Sequence, residues 1–242
     1  GMRVGVEFAE LFEDRQLSND CKAAEKKLVK AASKVYKKFL ASCPAPDAPG
    51  SKQVTALMTI TGLIDAPKAD KEFLSINGAQ GFSTFYGYYM LEAMAMAGNY
   101  QGALDVIREY WGAMIDLGAT SFWEDFDINW IPNAAPIDEL VPEGKKDIHG
   151  DCGAYCYVGF RHSLCHGWAS GPTSWLSRHI LGVEVIEPGC RQVRITPHLG
   201  DLQWVKGTFP TPYGELQIYH EKQANGNVIS EVKAPKGVSV IK

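Results

Sequence analysis

Thr120-Ser121-Phe122-Trp123-Glu124-Asp125-Phe126-Asp127 separates two kinds of chain. Before it, apolar residues recur at helical spacing. Well after it, from Val183, they alternate as they do in strands. The stretch itself sets three carboxylates among three large aromatics. Aromatic faces stack on the apolar faces of sugar rings, and carboxylates activate water or donate protons, so the mixture suits carbohydrate chemistry. A second stretch, Ser163-Leu164-Cys165-His166-Gly167-Trp168, adds an imidazole and another indole.

Toward the N-terminus the pattern predicts helices. Val6, Phe8, Leu11 and Phe12 form a short periodic piece, and Ser18-Asn19-Asp20 offers an N-cap for the next helix. In that helix Ala24, Leu28, Ala31, Ala32, Val35 and Phe39 mark a buried stripe, and seven lysines between 22 and 38 fall on the other faces. Pro44, Pro46, Pro49 and Gly50 predict a loop. Helices are expected from about Lys52 to Thr61, near 69–75, over 82–97 and over 100–116, with Gly62, Gly98 and Gly118 as stops. Tyr86, Tyr89, Met90 and Met94, then Tyr110, Trp111 and Met114, read as helix–helix core rather than as a cofactor box, and no cofactor is expected.

Residues 127–162 are rich in Pro and Gly, and a loop of that length is usually functional or disordered. Its aromatics, among them Trp130, Tyr155, Tyr157 and Phe160, argue for order. A last helix is expected over about 164–181, with Pro172 either kinking it or starting its straight portion. Beyond Val183 the alternation Leu216, Ile218, His220 and the Asn225-Gly226 turn predict an antiparallel meander of about five strands, with Trp204-Val205-Lys206 a weak one. The expected division is a helical domain over 1–184 and a β domain over 185–242.

With 242 residues, 45% apolar and 21% charged, the chain can bury a sizeable core. A net charge of −4 gives no footing for nucleic acid or an anionic membrane surface. No apolar run approaches the roughly 20 residues that span a bilayer.

Two local constellations carry chemistry. Glu124 with Asp125 and Asp127 supplies carboxylates for glycosidic hydrolysis, although an acidic turn complementing a helix dipole has the same composition. His149, Cys152, Cys156, His162, Cys165 and His166 crowd into eighteen residues, and their spacing is tolerable for tetrahedral zinc. Small buried Cys and hydrogen-bonded His explain that cluster as well, and no metal site is assigned.

Three motifs together resemble the bacterial α-L-rhamnosidases of glycoside hydrolase family 78. Gly118-Ala119-Thr120-Ser121-Phe122-Trp123-Glu124 is similar to that family's Gly-Ala-Thr-(Thr/Ser)-x-Trp-Glu segment. Ser163-Leu164-Cys165-His166 is similar to its Ser-x-(Asn/Cys)-His segment. Leu181-Gly182-Val183, Pro188-Gly189, Ile195-Thr196-Pro197, Trp204, Gly207 and Thr211-x-x-Gly214 resemble the entry to its C-terminal β-sandwich. The resemblance implies a mainly α protein with a C-terminal β region: an incomplete (α/α)6 toroid followed by a small antiparallel β-sandwich. It implies an inverting mechanism with Glu124 as general base. It places His166 in the sugar pocket, and Trp123, Trp130 and Trp168 as stacking or wall residues, with Asp127 beside them. The partner it implies is a rhamnose-containing glycan or glycoside.

The family's general acid comes from the first half of its toroid, and no matching acidic segment occurs here. The expectation is therefore a truncated form, slow or inactive alone. The alternatives are a non-catalytic carbohydrate-binding module and a zinc-stabilised interaction domain. Half a toroid also leaves apolar helix faces open, so self-association is expected.

Overall fold

The computed structural model describes residues 1–42, 45, 46, 48, 50–147 and 162–241, with the backbone alone at 40 and 41. The chain begins with an antiparallel hairpin of α1 (Met2–Leu11) and α2 (Arg15–Ser42). The cap of α2 is Asp14, whose Oδ1 accepts the N–H of Leu17 at 2.9 Å. Ser18, expected at the cap, lies inside the helix, buried against α1. Leu28 and Val35, expected in the core, are 58% and 65% exposed. Phe8 and Leu11 of α1, and Phe12 just after it, are exposed as well, so the hairpin presents apolar side chains that nothing in the described chain covers.

The core helices follow. They are α3 (Ser51–Ile60), α4 (Ala66–Ala69) running into a π turn Asp70–Leu74, and α5 (Gly87–Met96). Then α6 (Tyr100–Val106) continues through a π turn, Ile107–Trp111, into α7 (Gly112–Asp116). Asn99 caps α6 as its sequence suggests, taking the N–H of Gly102 at 2.9 Å. The short strands β1 (Ala134–Ala135) and β2 (Lys146–Asp147) pair in parallel within the long loop. The last helix, α8 (Gly171–Trp175), starts with Pro172 in its first turn and ends in a π turn Leu176–Ile180. It does not reach back to residue 164 as expected, because His166–Ser170 is held in a 3-10 turn, Gly167–Ala169. Leu74, Met90, Leu91, Met94, Tyr110, Trp123, Phe126, Trp175 and Ile180 form one buried apolar cluster. None of the helices among the described residues is long and apolar enough to cross a membrane.

Six strands follow: β3 (Val183–Val185), β4 (Gln192–Ile195), β5 (Trp204–Thr211), β6 (Gly214–Lys222), β7 (Val228–Lys233) and β8 (Ser239–Ile241). β5–β6–β7 is the antiparallel meander the alternation predicts, with Leu216, Ile218 and His220 pointing inward. The expectation of a wholly antiparallel region fails at one pairing. β8 leaves that sheet and joins β4 in parallel, Gln192 opposite Ser239, to make a second sheet in the order β3-β4-β8. Pro235 and Gly237, the latter at φ +101°, turn the chain across. The segment expected to be a weak strand begins the eight-residue β5. Both sheets close on Leu181, Val183, Val193, Ile195, Leu216 and Ile218.

Two histidines sit where these layers meet. His220 is fully buried and donates through Nε2 to the carbonyl of Leu181 (3.1 Å), accepting the Ser230 hydroxyl at Nδ1 (2.7 Å). His198 stacks on Tyr100 with ring centroids 3.7 Å apart. Burial lowers both pKa values from 6.5, opposed at His220 by the Leu181 carbonyl and reinforced at His198 by His179. Below about pH 6.5 the unfolded chain therefore binds more protons than the folded one. Stability is full above that pH and falls as the pH drops through the folded values. Urea midpoints should be lower at pH 5 than at pH 7.5, and His198→Gln should flatten the difference. Equal midpoints in the wild type would contradict this.

Candidate active site

Gly118 ends α7 in the left-handed region, at φ +88°, where an added Cβ would lie 3.0 Å from side-chain atoms of Ile137 and Asp138. The chain then runs extended beside residues 162–166. The Glu124 N–H donates to Ser163 O (2.8 Å) and the His166 N–H donates to Phe122 O (2.7 Å). The Asp125 N–H donates to His162 Nε2 at 3.0 Å. The two stretches singled out in the sequence are thus joined by backbone hydrogen bonds, about forty residues apart along the chain.

Glu124 is held on every side but one. Its carbonyl accepts from Thr84 Oγ1 and from Trp168 Nε1, both at 2.6 Å. Its Oε2 accepts the Ser163 N–H at 3.1 Å and lies 3.9 Å from His166 Nδ1. Oε1 takes no hydrogen bond among the described residues, and the side chain is 18% exposed. A carboxylate positioned by one oxygen and open to water at the other is arranged to accept a proton.

The site residues expected from sequence separate by environment. His166 is partly exposed and packs its ring 4.4 Å from that of Trp168, which also lies 5.6 Å from Phe85. Trp168 is 45% exposed and offers a ring face to a ligand. Trp123 does not. It is fully buried against Phe126 and His162, so as a stacking residue it is corrected to a core residue beneath the site. Trp130 is half-buried between Phe126 and His162 and lines a neighbouring cleft. Asp127 is exposed and caps the turn Ile128–Trp130 through the N–H of Asn129.

Asp125 belongs to that cleft. Burial raises its carboxyl above the usual range, opposed by the Phe126 N–H and His162 and reinforced by Asp127 and Glu124. Tyr110 supports the segment from below, donating to Phe126 O, and its own pKa is pushed well up by burial.

Phe85 and Tyr86 are about 40% exposed and continue the aromatic surface from Trp168, whereas Tyr86 reads as helix–helix core in sequence. The missed signal is density. Phe85, Tyr86, Tyr88 and Tyr89 are too many aromatics in five residues to share one helix face.

The zinc constellation cannot be assembled from what is described. His149, Cys152 and Cys156 lie outside the described residues, as do Tyr155, Tyr157 and Phe160. His162 spends Nε2 on Asp125, and Cys165 is an exposed free thiol. Among the described residues no three His, Cys, Asp or Glu side chains converge on one point.

Comparison with known proteins points one way. Residues 182–241 match the family model described as the bacterial alpha-L-rhamnosidase C-terminal domain. Comparison with curated protein sequences gives no match. Among solved structures, the chain is similar to the family 78 rhamnosidase of Bacillus sp. GL1, with 26% identity and TM-score 0.59 over 78% of this chain and 18% of that one. It shares its fold with the α-L-rhamnosidase of Aspergillus terreus, at 18% identity and TM-score 0.70 over 97% of this chain and 26% of that one. The Streptomyces avermitilis α-L-rhamnosidase, complexed with L-rhamnose, gives 16% identity and TM-score 0.68 over 99% of this chain and 22% of that one. The chain thus spans about a quarter or less of the length of these proteins.

Proposed function

We propose that this chain, a partial counterpart of the glycoside hydrolase family 78 α-L-rhamnosidases, holds the base side of an inverting site for terminal α-L-rhamnosides. The observation that carries the reading is the clamped carboxylate of Glu124, whose Oε2 takes the Ser163 N–H and lies 3.9 Å from His166 Nδ1, itself packed on Trp168, while Oε1 takes no hydrogen bond among the described residues. In an inverting hydrolysis the base takes a proton from water as that water attacks the anomeric carbon, while an acid on the opposite face protonates the leaving oxygen. Glu124 supplies the first function, His166 and Trp168 bound the sugar, and the acid is assigned to no residue of this chain.

On this reading the helices are part of an (α/α)6 toroid and the six strands a β-sandwich, divided near residue 184. The short share of the relatives' length supports this partial-site view. A non-catalytic carbohydrate-binding role is the second reading, favoured by the exposed rings of Phe85, Tyr86 and Trp168. Release of product from an aryl α-L-rhamnoside separates the two, since only the first turns substrate over.

The same reading includes self-association through the α1–α2 hairpin, where Phe8, Leu11, Phe12, Leu28 and Val35 are exposed. Light scattering is expected to give a mass above that of one chain. A single monomeric species at micromolar concentration would remove this part of the proposal.

A further inference from the structure

Helix α2 carries two apolar stripes, and only one of them is covered. Ser18, Cys21 and Tyr36 mark the buried face. Leu17, Ala24, Leu28, Ala31 and Val35 lie on another face, spaced seven, four, three and four residues apart, which is the spacing of a coiled-coil seam. Leu17, Leu28 and Val35 are 47%, 58% and 65% exposed. Leu28 also borders an apolar cleft with Met2, Val4, Ala32, Ile60 and Leu63, so the open face continues onto α1 and the end of α3. We propose that the same face of a second copy covers it, the two α2 helices running antiparallel about a two-fold axis at about residue 26. The proposal rests on the self-association reading above and on nothing at Glu124.

Charge selects both the partner and the direction. Residues 7–20 hold five carboxylates, on Glu7, Glu10, Glu13, Asp14 and Asp20, against one arginine. Residues 22–38 hold seven lysines against one glutamate. Lys22 pairs with Glu10 at 2.9 Å and Glu25 with Arg3. Lys26, Lys27, Lys30, Lys34, Lys37 and Lys38 are exposed and make no ion pair among the described residues. The hairpin is thus acidic at its turn and basic at the far end of α2. A surface with opposite signs at its two ends is self-complementary under a two-fold axis, whereas a surface of one sign calls for a different partner. A parallel pair would set lysines on lysines. The antiparallel register that puts Leu17 against Val35 also puts Ala24 against Leu28, so small side chains meet large ones along the seam. Asp20, Lys27 and Lys34 recur every seven residues on the flank of the seam away from α1. Asp20 of each copy then lies beside Lys34 of the other, and the two Lys27 side chains meet at the axis, the one repulsion the register contains.

Sedimentation velocity of the whole chain over a range of concentrations reads the dimerisation constant. Leu28→Glu places a carboxylate in the seam at an exposed position, so it should weaken dimerisation at least about a hundred-fold with the helical circular dichroism unchanged. Asp20→Lys and Lys34→Asp should each weaken it at least about five-fold at low salt, and the two together should restore it to within about two-fold of wild type. Lys27→Gln removes the repulsion at the axis and should tighten the dimer by about two-fold or more. A dimer that tolerates Leu28→Glu would overturn the seam and leave self-association through another surface. Failure of the double charge exchange to restore the dimer, or weakening by Lys27→Gln, would overturn the antiparallel register. A monomer at every concentration would overturn self-association itself. None of these measurements uses turnover, so they stand or fall apart from the role of Glu124.

Discussion

Glu124→Gln should lower release from an aryl α-L-rhamnoside by about 10²–10⁴-fold, the usual contribution of a positioned general base. The substitution keeps the shape of the side chain. Its amide oxygen can still accept the Ser163 N–H, and the Thr84 and Trp168 bonds go to the main-chain carbonyl, which does not change. Folding is therefore expected to be intact, with a melting temperature close to wild type. What is lost is the ability to take a proton from water. An aryl leaving group departs with little protonation, so it gives a site without its acid the best chance of turning over. Release by the wild type that the variant abolishes assigns the base. Equal release from both proteins would remove Glu124 from the mechanism. No release from either would leave the binding reading.

The second large effect is on stability. Gly182 joins the last helix to β3 at φ +72°, and an added Cβ would sit 2.3 Å from Thr196 C and 2.5 Å from Pro197 N. Those are backbone atoms, and they are fixed by the bond from the Thr196 N–H to Gly182 O at 2.9 Å. Gly182→Ala therefore adds a left-handed penalty of about 1–2 kcal/mol to an overpacking cost of about 1–3 kcal/mol. Urea unfolding should show a loss of about 2–5 kcal/mol from these two terms together. Gly98→Ala is the control. Gly98 has φ +79° but no atom within 4 Å of the added Cβ, so only the smaller term applies. A loss at Gly182 no greater than at Gly98 would refute the steric part of the argument. The junction matters because the neighbouring Leu181 carbonyl receives His220 from β6, which ties the strands to the end of the helices.

Residue type and spacing alone determined several features. Gly62, Gly98 and Gly118 stop helices wherever they follow an apolar-periodic run, because a left-handed residue ends the ladder whatever lies outside. Asn225-Gly226 makes its turn, and Leu216, Ile218 and His220 share one face, because the period of a strand is local. The motifs around Glu124 and His166 were legible as chemistry for the same reason: they are contiguous.

Only the tertiary structure decided which aromatic faces water. Trp123 and Trp168 have the same side chain, and Trp123 is covered by Phe126 and His162 while Trp168 lies open at the rim. The exposed stripe of α2 has the same origin, since amphipathic spacing names a face but not what packs on it. The parallel pairing of β4 with β8 depends on where the chain goes after Pro235, and Gln53, Ser83 and Asp125 share a cleft only because α3, the turn before α5 and the loop after Glu124 converge. Burial and long-range pairing are properties of neighbours distant in sequence, and no local pattern encodes who those neighbours are.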